Sequence, residues 1–274
     1  MRACRQKAAG PDGQCALHHF IQYTPYSKDG TDNQGVQPGK CGHMICLYCH
    51  GRIDVELNLL NMFSKTKRIC QSCHLKLTGW RSGVRCARCH RIMHAAEKEC
   101  RDCIFISSRF TPVRSIRCLL DYNSEVKMMM HRYKFVRDIA LAEVMAGFID
   151  IKEWQYDHIV PIPVSEHRLE ERGFNQITEV LKRSRTAYTE LLATDKVKLQ
   201  SERSKAERID SDNPFSFDAG EKDVKILDKR ILIVDDIYTT GITVHHAAET
   251  IMQRNPSSVD VLTLSLIHIS EPTR

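Results

Sequence analysis

The chain has 274 residues, of which 42% are hydrophobic and 27% charged, so it is long enough for one large or two ordinary globular domains. No run of about 18 apolar residues occurs, and the N-terminal segment lacks the apolar core of a signal peptide, so we expect a cytoplasmic protein without membrane insertion. The formal net charge of +6 permits an anionic partner but does not require one.

Residues 1–43 are rich in Gly, Pro, Asp, Asn and Gln and show no lasting periodicity. Such a segment is predicted to be a poorly ordered extension. Met44 is followed at once by the sequence ICLYC, where paired cysteines begin, and we expect the folded unit to start there.

Residues 44–110 contain four C-x-x-C pairs, which are Cys46 and Cys49, Cys70 and Cys73, Cys86 and Cys89, and Cys100 and Cys103. Each pair can point two thiolates at one ion, and two pairs complete a tetrahedral site with four sulfur ligands. Because a chain without an export signal keeps its thiols reduced, metal is favoured over disulfides. The spacing predicts a double zinc ribbon. Pairing of the first with the second pair and of the third with the fourth, or an interleaved pairing, both remain open.

A site with four cysteine ligands has no open coordination position, so these zinc ions are predicted to be structural. The region is also basic, which raises the alternative of a surface that binds single-stranded DNA, beside the simpler one of a solvated surface. The basic residues are Arg52, Lys65, Lys67, Arg68, Lys76, Arg81, Arg85, Arg88 and Arg91. The aromatic side chains that could stack on bases are Tyr48, Trp80 and Phe105.

Residues 111–264 alternate between helical and extended patterns, which predicts an α/β domain with a parallel sheet. The predicted elements are a long amphipathic helix over 125–149 that would break near Val136, a strand over 157–164, a helix over 173–184, a polar loop over 199–217, a strand over 229–236, a helix over 242–254 and a strand over 258–264. Residues 265–274 (SLIHISEPTR) do not continue this pattern. They are similar to translated sequencing-adapter read-through, and a natural edge strand with a tail is the alternative.

The stretch ILIVDD ends a strand that is predicted to be covered on both faces, and it places Asp235 and Asp236 at the strand's carboxyl end. Ligands of open α/β sheets bind beyond this end of the strands. Two adjacent carboxylates repel each other, and the two vicinal hydroxyls of a ribose would offset the repulsion by donating hydrogen bonds. The acid pair therefore predicts a sugar-diol site.

A phosphate-binding turn is predicted directly after the acid pair, over Thr239-Thr240-Gly241-Ile242-Thr243. The glycine allows close backbone approach, and the N-terminus of the helix that follows favours an anion. A diol site beside a phosphate turn indicates a ribose 5-phosphate ligand. A nucleoside triphosphatase would also need a Walker A loop, and the nearest candidate, residues 35–41, has the wrong spacing.

This stretch resembles the signature of type I phosphoribosyltransferases, which bind phosphoribosyl pyrophosphate. The resemblance extends to HRYKF (131–135), VPIPVSEHRLEERGFNQ (160–176), the loop SERSKAERIDSDNPF (201–215) and the four cysteine pairs. Together these features are similar to the ComF family over about residues 44 to 264. The long extension before Met44 and the final tail depart from the family.

The resemblance implies a type I phosphoribosyltransferase-like domain preceded by a small zinc-binding region. It also implies a role in moving single-stranded DNA across the inner membrane of competent bacteria, next to a helicase partner at the inner face of that membrane. Two alternatives stay open. One is a phosphoribosyltransferase that acts on a base or another nucleophile, and the other is a structural adaptor for the helicase with a vestigial site.

Carried onto this chain, the resemblance makes Asp235 and Asp236 the residues that bind the ribose hydroxyls and stabilise positive charge on the sugar. The 5′-phosphate would lie against Thr239, Thr240, Gly241 and Thr243. Pyrophosphate with Mg²⁺ would bind at the loop that contains Pro163 and Val164, with Arg172 just beyond it. A flexible loop over 199–212 would close over the site and bring in the catalytic cations Arg203 and Lys205.

Overall fold

A computed structural model describes residues 44–53, 68–79, 83–93, 97–151, 156–194, 212–221 and 224–267. The described residues all belong to one compact unit. The predicted extension over 1–43, the loop that contains Arg203 and Lys205, and residues 268–274 lie outside the described residues.

The described residues form short hairpins and helices in the cysteine-rich region, followed by an α/β core. The strands are β1 (Met44–Ile45), β2 (Arg52–Ile53), β3 (Val84–Arg85), β4 (Ile92–Met93), β5 (Ser115–Asp121), β6 (His158–Pro161), β7 (Leu192–Thr194), β8 (Phe215–Phe217), β9 (Arg230–Tyr238) and β10 (Ser258–Leu266). The helices are α1 (Gln71–Thr78), α2 (Arg101–Arg109), α3 (Ser124–Phe135), α4 (Leu141–Ala146), α5 (Glu166–Arg172), α6 (Gln176–Ser184) and α7 (Ile242–Met252), with a 3₁₀ turn at Ala219–Glu221.

The core sheet has the strand order β5-β10-β9-β6, and all three pairings are parallel. Parallel strands need covering on both faces, which explains the unbroken apolar run of β9. The predicted fold class is confirmed as a parallel α/β sheet preceded by a cysteine-rich region. Since the four strands run the same way, their carboxyl ends lie at one edge of the sheet, and a ligand site is expected at this edge.

The two faces of the sheet support two separate hydrophobic clusters. Side chains of a strand alternate between faces, so Ile231 and Ile233 belong to one cluster, and Leu232 and Val234 belong to the other. The first cluster also contains four cysteines from the segment that runs from β3 to α2. The second contains Cys46 and Cys73 together with buried side chains of helices α3, α4 and α6. The cysteine-rich region therefore contributes to both faces of the core.

The predicted helix over 125–149 is two helices, α3 and α4, in the structure. Helix α3 begins after Asn123, whose side chain accepts a hydrogen bond from the Val126 amide at 2.8 Å. It ends at Phe135, because the backbone turns back at Arg137, which has φ of +60°. Within the described part of the chain, no helix is long and apolar enough to cross a membrane.

Both central strands extend beyond their predicted ends. Strand β9 continues two residues past the predicted end at 236, to Tyr238, and β10 reaches Leu266, which lies opposite Tyr238 in the parallel register. The Ile267 amide continues the ladder by donating to the Tyr238 carbonyl at 3.0 Å. The first two residues of the predicted tail thus belong to a central strand, because neighbouring strands on both sides pair with it.

Candidate functional site

The eight paired cysteines form two groups of four in the structure. One group is Cys46, Cys49, Cys70 and Cys73, and the other is Cys86, Cys89, Cys100 and Cys103, with all sulfur atoms of a group within 4.8 Å of one another. The sequential pairing is therefore the observed one, and the interleaved alternative is excluded.

The sulfur spacing within each group fits a tetrahedral zinc ion. The Sγ atoms of Cys49 and Cys70 are 3.8 Å apart, and those of Cys89 and Cys100 are 3.7 Å apart. Zn–S bonds of about 2.3 Å in a tetrahedron place two sulfur ligands about 3.8 Å apart. The geometry of both groups is that of a closed metal site.

Backbone amides stabilise the thiolate form that a metal needs. The Cys46 sulfur accepts hydrogen bonds from the amides of Cys49 at 3.5 Å and Cys70 at 3.4 Å. Burial by itself raises the pKa of Cys46, but these amides and that of Tyr48 outweigh it and lower the pKa to about 7. The Cys86 sulfur accepts in the same way from the Cys100 amide at 3.3 Å.

The acid pair lies within β9, at the carboxyl edge of the sheet, and both carboxylates are half-buried. The Asp236 amide donates to Asp235 Oδ1 at 2.8 Å, which helps to hold the first carboxylate in place. Lys134, near the end of α3, pairs with Asp236, with 2.5 Å between Nζ and Oδ2. Their side chains are only 14% and 19% exposed, so the ion pair is largely shielded from solvent.

Lys134 is a site residue that the sequence analysis missed. The repulsion between the two aspartates was expected to be offset by ligand hydroxyls, whereas in the structure Lys134 pairs with one of the two carboxylates. The signal was present in HRYKF, which was part of the family resemblance but had no role assigned to its lysine. A second cation, Arg172, is half-buried, and burial first and the Arg168 charge second lower its pKa, while the Asp236 charge opposes them.

The predicted phosphate turn joins β9 to α7. Thr240 is buried, and Thr239 and Thr243 are half-buried. Gly241 has φ of +86°, and a Cβ atom added to it would lie 2.2 Å from the Tyr238 hydroxyl, so only glycine fits. Because this N-cap residue is a glycine, it has no side chain of its own to compete for the first amides of α7.

The loop over 161–164 lies beside the acid pair. The Ile162 amide donates to the Val234 carbonyl at 2.9 Å, immediately before Asp235 in the sequence. Asn175 donates to the Ile162 carbonyl at 3.2 Å and also caps α6, where its side chain accepts from the Ile177 amide at 2.9 Å. Pro163 and Val164 follow as half-buried residues, so the structure brings this loop to the same edge as the aspartates.

Four of the predicted basic residues of the cysteine-rich region form ion pairs within the protein, whereas Arg52 and Lys76 are exposed. Arg68 pairs with Glu143, Arg85 with Asp121, Arg88 with Glu99 and Arg91 with Asp102. Tyr48 is 6% exposed and its hydroxyl donates to Glu125, so it offers no face for a base, and Phe105 is half-buried. Lys65, Lys67, Trp80 and Arg81 lie outside the described residues. These pairings favour a structural role for the four arginines over the predicted DNA-binding surface.

No protein-family model matches the chain. It is 30% identical over 230 residues to Competence protein ComFC of Streptococcus pneumoniae, which covers 82% of this chain and all of the relative. It is 31% identical over 237 residues to Competence protein ComFC of Bacillus subtilis, with 81% and 94% covered. Among solved structures, it is similar to a hypoxanthine phosphoribosyltransferase from Staphylococcus aureus at 15% identity, with a TM-score of 0.26 and coverage of 61% of this chain and 77% of that one.

The Lys134–Asp236 pair should stabilise the ligand-free protein. We expect Lys134→Met to lower the free energy of unfolding by about 1–3 kcal/mol, because it leaves a half-buried carboxylate without its cation beside a second carboxylate. Adding Asp236→Asn should recover part of this loss. Denaturant unfolding of the two single variants and the double variant measures the coupling. Lys127→Met, an exposed position on the same helix, is the control, and equal stability of the two lysine variants would contradict the assignment.

Proposed function

The chain belongs to the ComF family, and on this basis we propose that it binds phosphoribosyl pyrophosphate at the carboxyl end of β9 and assists the uptake of single-stranded DNA in natural transformation. One observation carries the ligand proposal: the half-buried pair Asp235 and Asp236 leads within one turn to the glycine at the start of α7. A diol acceptor and an anion site thus lie next to each other on one edge of the sheet.

In this proposal the ribose 2′- and 3′-hydroxyls donate to the carboxylates of Asp235 and Asp236. Lys134 occupies Asp236 in the free protein, so the diol replaces the lysine as the partner of this carboxylate. The ammonium group released in this exchange then lies beside a ligand that carries several negative charges. The free energy lost from the ion pair is offset by a new interaction with the anion.

The 5′-phosphate would lie over the turn from Thr239 to Thr243. The amides at the start of α7 and the hydroxyls of Thr240 and Thr243 are the donors there, and the helix dipole favours a negative charge. The pyrophosphate would lie at Pro163 and Val164, with Arg172 as the nearby cation.

Mg²⁺ would bind with the pyrophosphate beside Pro163 and Val164, mainly through the pyrophosphate oxygens. Among the described residues, only the two cysteine groups could hold a metal ion by themselves. Mg²⁺ would therefore depend on oxygen atoms that the ligand supplies. When bound, Mg²⁺ supplies positive charge that stabilises the leaving pyrophosphate.

The same arrangement favours transferase chemistry as a second candidate function. Two carboxylates beneath the sugar would stabilise the positive charge that develops when the bond to pyrophosphate breaks. An adaptor with a vestigial site is compatible with the same geometry, because Lys134 offsets the electrostatic cost of an acid pair that binds no ligand. Ligand binding is the property that separates an adaptor from the other two candidates.

The DNA-uptake role rests on the family. Two relatives at 30% and 31% identity are named competence proteins. We propose single-stranded DNA and a competence helicase as partners, at the cytoplasmic face of the inner membrane. Because Arg68, Arg85, Arg88 and Arg91 pair with carboxylates, the proposed DNA contact would have to use other residues or the helicase.

Binding of phosphoribosyl pyrophosphate with Mg²⁺ should depend on Asp236 and Thr240. Asp236→Ala removes a charged hydrogen-bond acceptor and should weaken binding about tenfold to a hundredfold. Thr240→Val should have a smaller effect, because the backbone amides of the turn remain. Calorimetric titration measures both, with Asp157→Ala at the opposite end of the sheet as the control. Equal affinity of Asp236→Ala and the unchanged protein would show that the ligand does not bind here.

Loss of the acid pair should also impair DNA uptake. A competent host strain that lacks the gene should regain its transformation frequency with the unchanged gene but not with an Asp235→Ala, Asp236→Ala allele. Immunoblotting has to show equal protein levels for the two alleles. Full recovery by the double variant would mean that the competence role does not use the ligand site.

Purified protein should contain about two zinc ions per chain, one for each cysteine group. Cys73→Ser and Cys103→Ser should each reduce the content to about one ion, since each removes one buried ligand of a different group. Metal analysis by mass spectrometry on protein prepared without added zinc measures the ratio. A folded protein with almost no zinc would rule out the assignment of both groups.

A further inference from the structure

The two cysteine groups are built as a structural repeat. In the first, the Cys46 amide donates to the Gly51 carbonyl at 2.9 Å, and in the second the Cys86 amide donates to the Arg91 carbonyl at 2.8 Å. The histidine after each knuckle has φ of +60° in both groups. A second knuckle with a helix follows in each, α1 and α2. Equivalent positions can therefore be compared directly.

Two equivalent positions carry opposite charges in the second group and no charge in the first. Arg91 of the second group stands where the first has Gly51, and Asp102 stands where the first has Ser72. The Arg91 guanidinium donates both to the Asp102 carboxylate and to the backbone carbonyl of Thr239, in the phosphate turn. Arg91 is only 8% exposed, so these contacts are shielded from water.

Packing joins the same two regions. Tyr238, which lies against Gly241, belongs to the hydrophobic cluster that contains the four cysteines of the second group. Helix α2 begins directly after the predicted ligand Cys100. Its residue Ile106, together with Phe110 just after the helix, packs against Ile242, the first residue of α7. The first cysteine group instead contacts α3 and α4, through Tyr48–Glu125 and Arg68–Glu143.

The Thr239 carbonyl is an effective point at which to hold the turn. In a planar trans peptide the carbonyl of one residue and the amide of the next point in opposite directions. Holding the Thr239 carbonyl against Arg91 therefore directs the Thr240 amide away from Arg91. An anion that binds through the amides of this turn depends on their orientation, because electrostatic binding by fixed dipoles requires them to be set in advance.

We propose that Arg91 is a positioning residue of the phosphate turn, through which the second cysteine group, and not the first, sets the geometry of the 5′-phosphate site. The identity of the ligand rests on the proposed function, whereas the mechanical link between Arg91 and the turn does not. Arg91 touches neither sugar nor phosphate in this role, and it acts through the backbone of Thr239.

The first test measures the turn without any ligand. Hydrogen–deuterium exchange of the backbone amides over 239–243 should become faster in Arg91→Ala and in the double variant Arg91→Gly, Asp102→Ser, which converts both positions to those of the first group. The double variant also removes the half-buried Asp102 carboxylate that Arg91 contacts, so it protects the test against simple misfolding. Arg88→Ala, which breaks an ion pair of the same group with Glu99, should leave the exchange unchanged.

The second test measures affinity for phosphoribosyl pyrophosphate with Mg²⁺ by calorimetry. Arg91→Ala and the double variant should bind about tenfold to a hundredfold more weakly, and Arg88→Ala should bind as the unchanged protein does. The affinity of Arg91→Lys should lie between that of Arg91→Ala and that of the unchanged protein. Zinc content should stay the same in all four variants. A loss of one zinc ion in the Arg91 variants would place the role of Arg91 in the metal site itself and overturn the proposal.

Exchange rates and affinities equal to those of the unchanged protein would likewise overturn it, as would faster exchange with unchanged affinity. If the unchanged protein does not bind phosphoribosyl pyrophosphate at all, the proposed function fails, and exchange alone decides the link. Faster exchange in both Arg91 variants then supports it, and unchanged exchange rejects it.

Discussion

The four-stranded parallel sheet has two apolar faces, and the structure depends on covering both of them. On each face, side chains of the α/β domain pack together with residues of the cysteine-rich region. The second cysteine group completes one cluster and the first completes the other. A small metal-binding module with few apolar residues of its own gains stability from this arrangement, because it shares the core of a larger domain. Metal binding and the fold of the sheet are therefore expected to be coupled.

The same arrangement places charged groups at the carboxyl edge of the sheet. Helix α3 contacts the first group, because the Arg132 side chain donates to the Tyr48 carbonyl. The same helix places Lys134 beside Asp236 of the acid pair. The second group brings Arg85 to Asp121 at the end of β5, where the carboxylate accepts two hydrogen bonds at 3.1 and 2.8 Å. Each cysteine group thus contacts residues at the carboxyl edge of the sheet, and each contact is an ion pair or a charged hydrogen bond.

Local pattern was sufficient to predict the parallel α/β class, the strand that carries the acid pair and the turn that follows it. The apolar run before Asp235 predicted a buried strand, and the glycine at 241 predicted the turn, because both signals lie within a few neighbouring residues. Lys134 and Arg91 could not be assigned in this way. Each meets its partner across more than a hundred residues of sequence. Only the tertiary fold distinguishes these two cations from basic residues that simply face water.

The ion pair between Lys134 and Asp236 also bears on which ligands the proposed site would prefer. A sugar with a diol but no phosphate has to displace the lysine and leaves it without a new partner, so its binding loses a largely shielded ion pair. A ligand that carries phosphates gives the displaced lysine and Arg172 an anion to bind. The two classes of ligand thus gain the same hydrogen bonds at Asp235 and Asp236 but differ in the fate of the lysine. Selectivity for a phosphorylated ribose follows from this difference, because discrimination against a competitor arises where its binding leaves a buried charge unpaired.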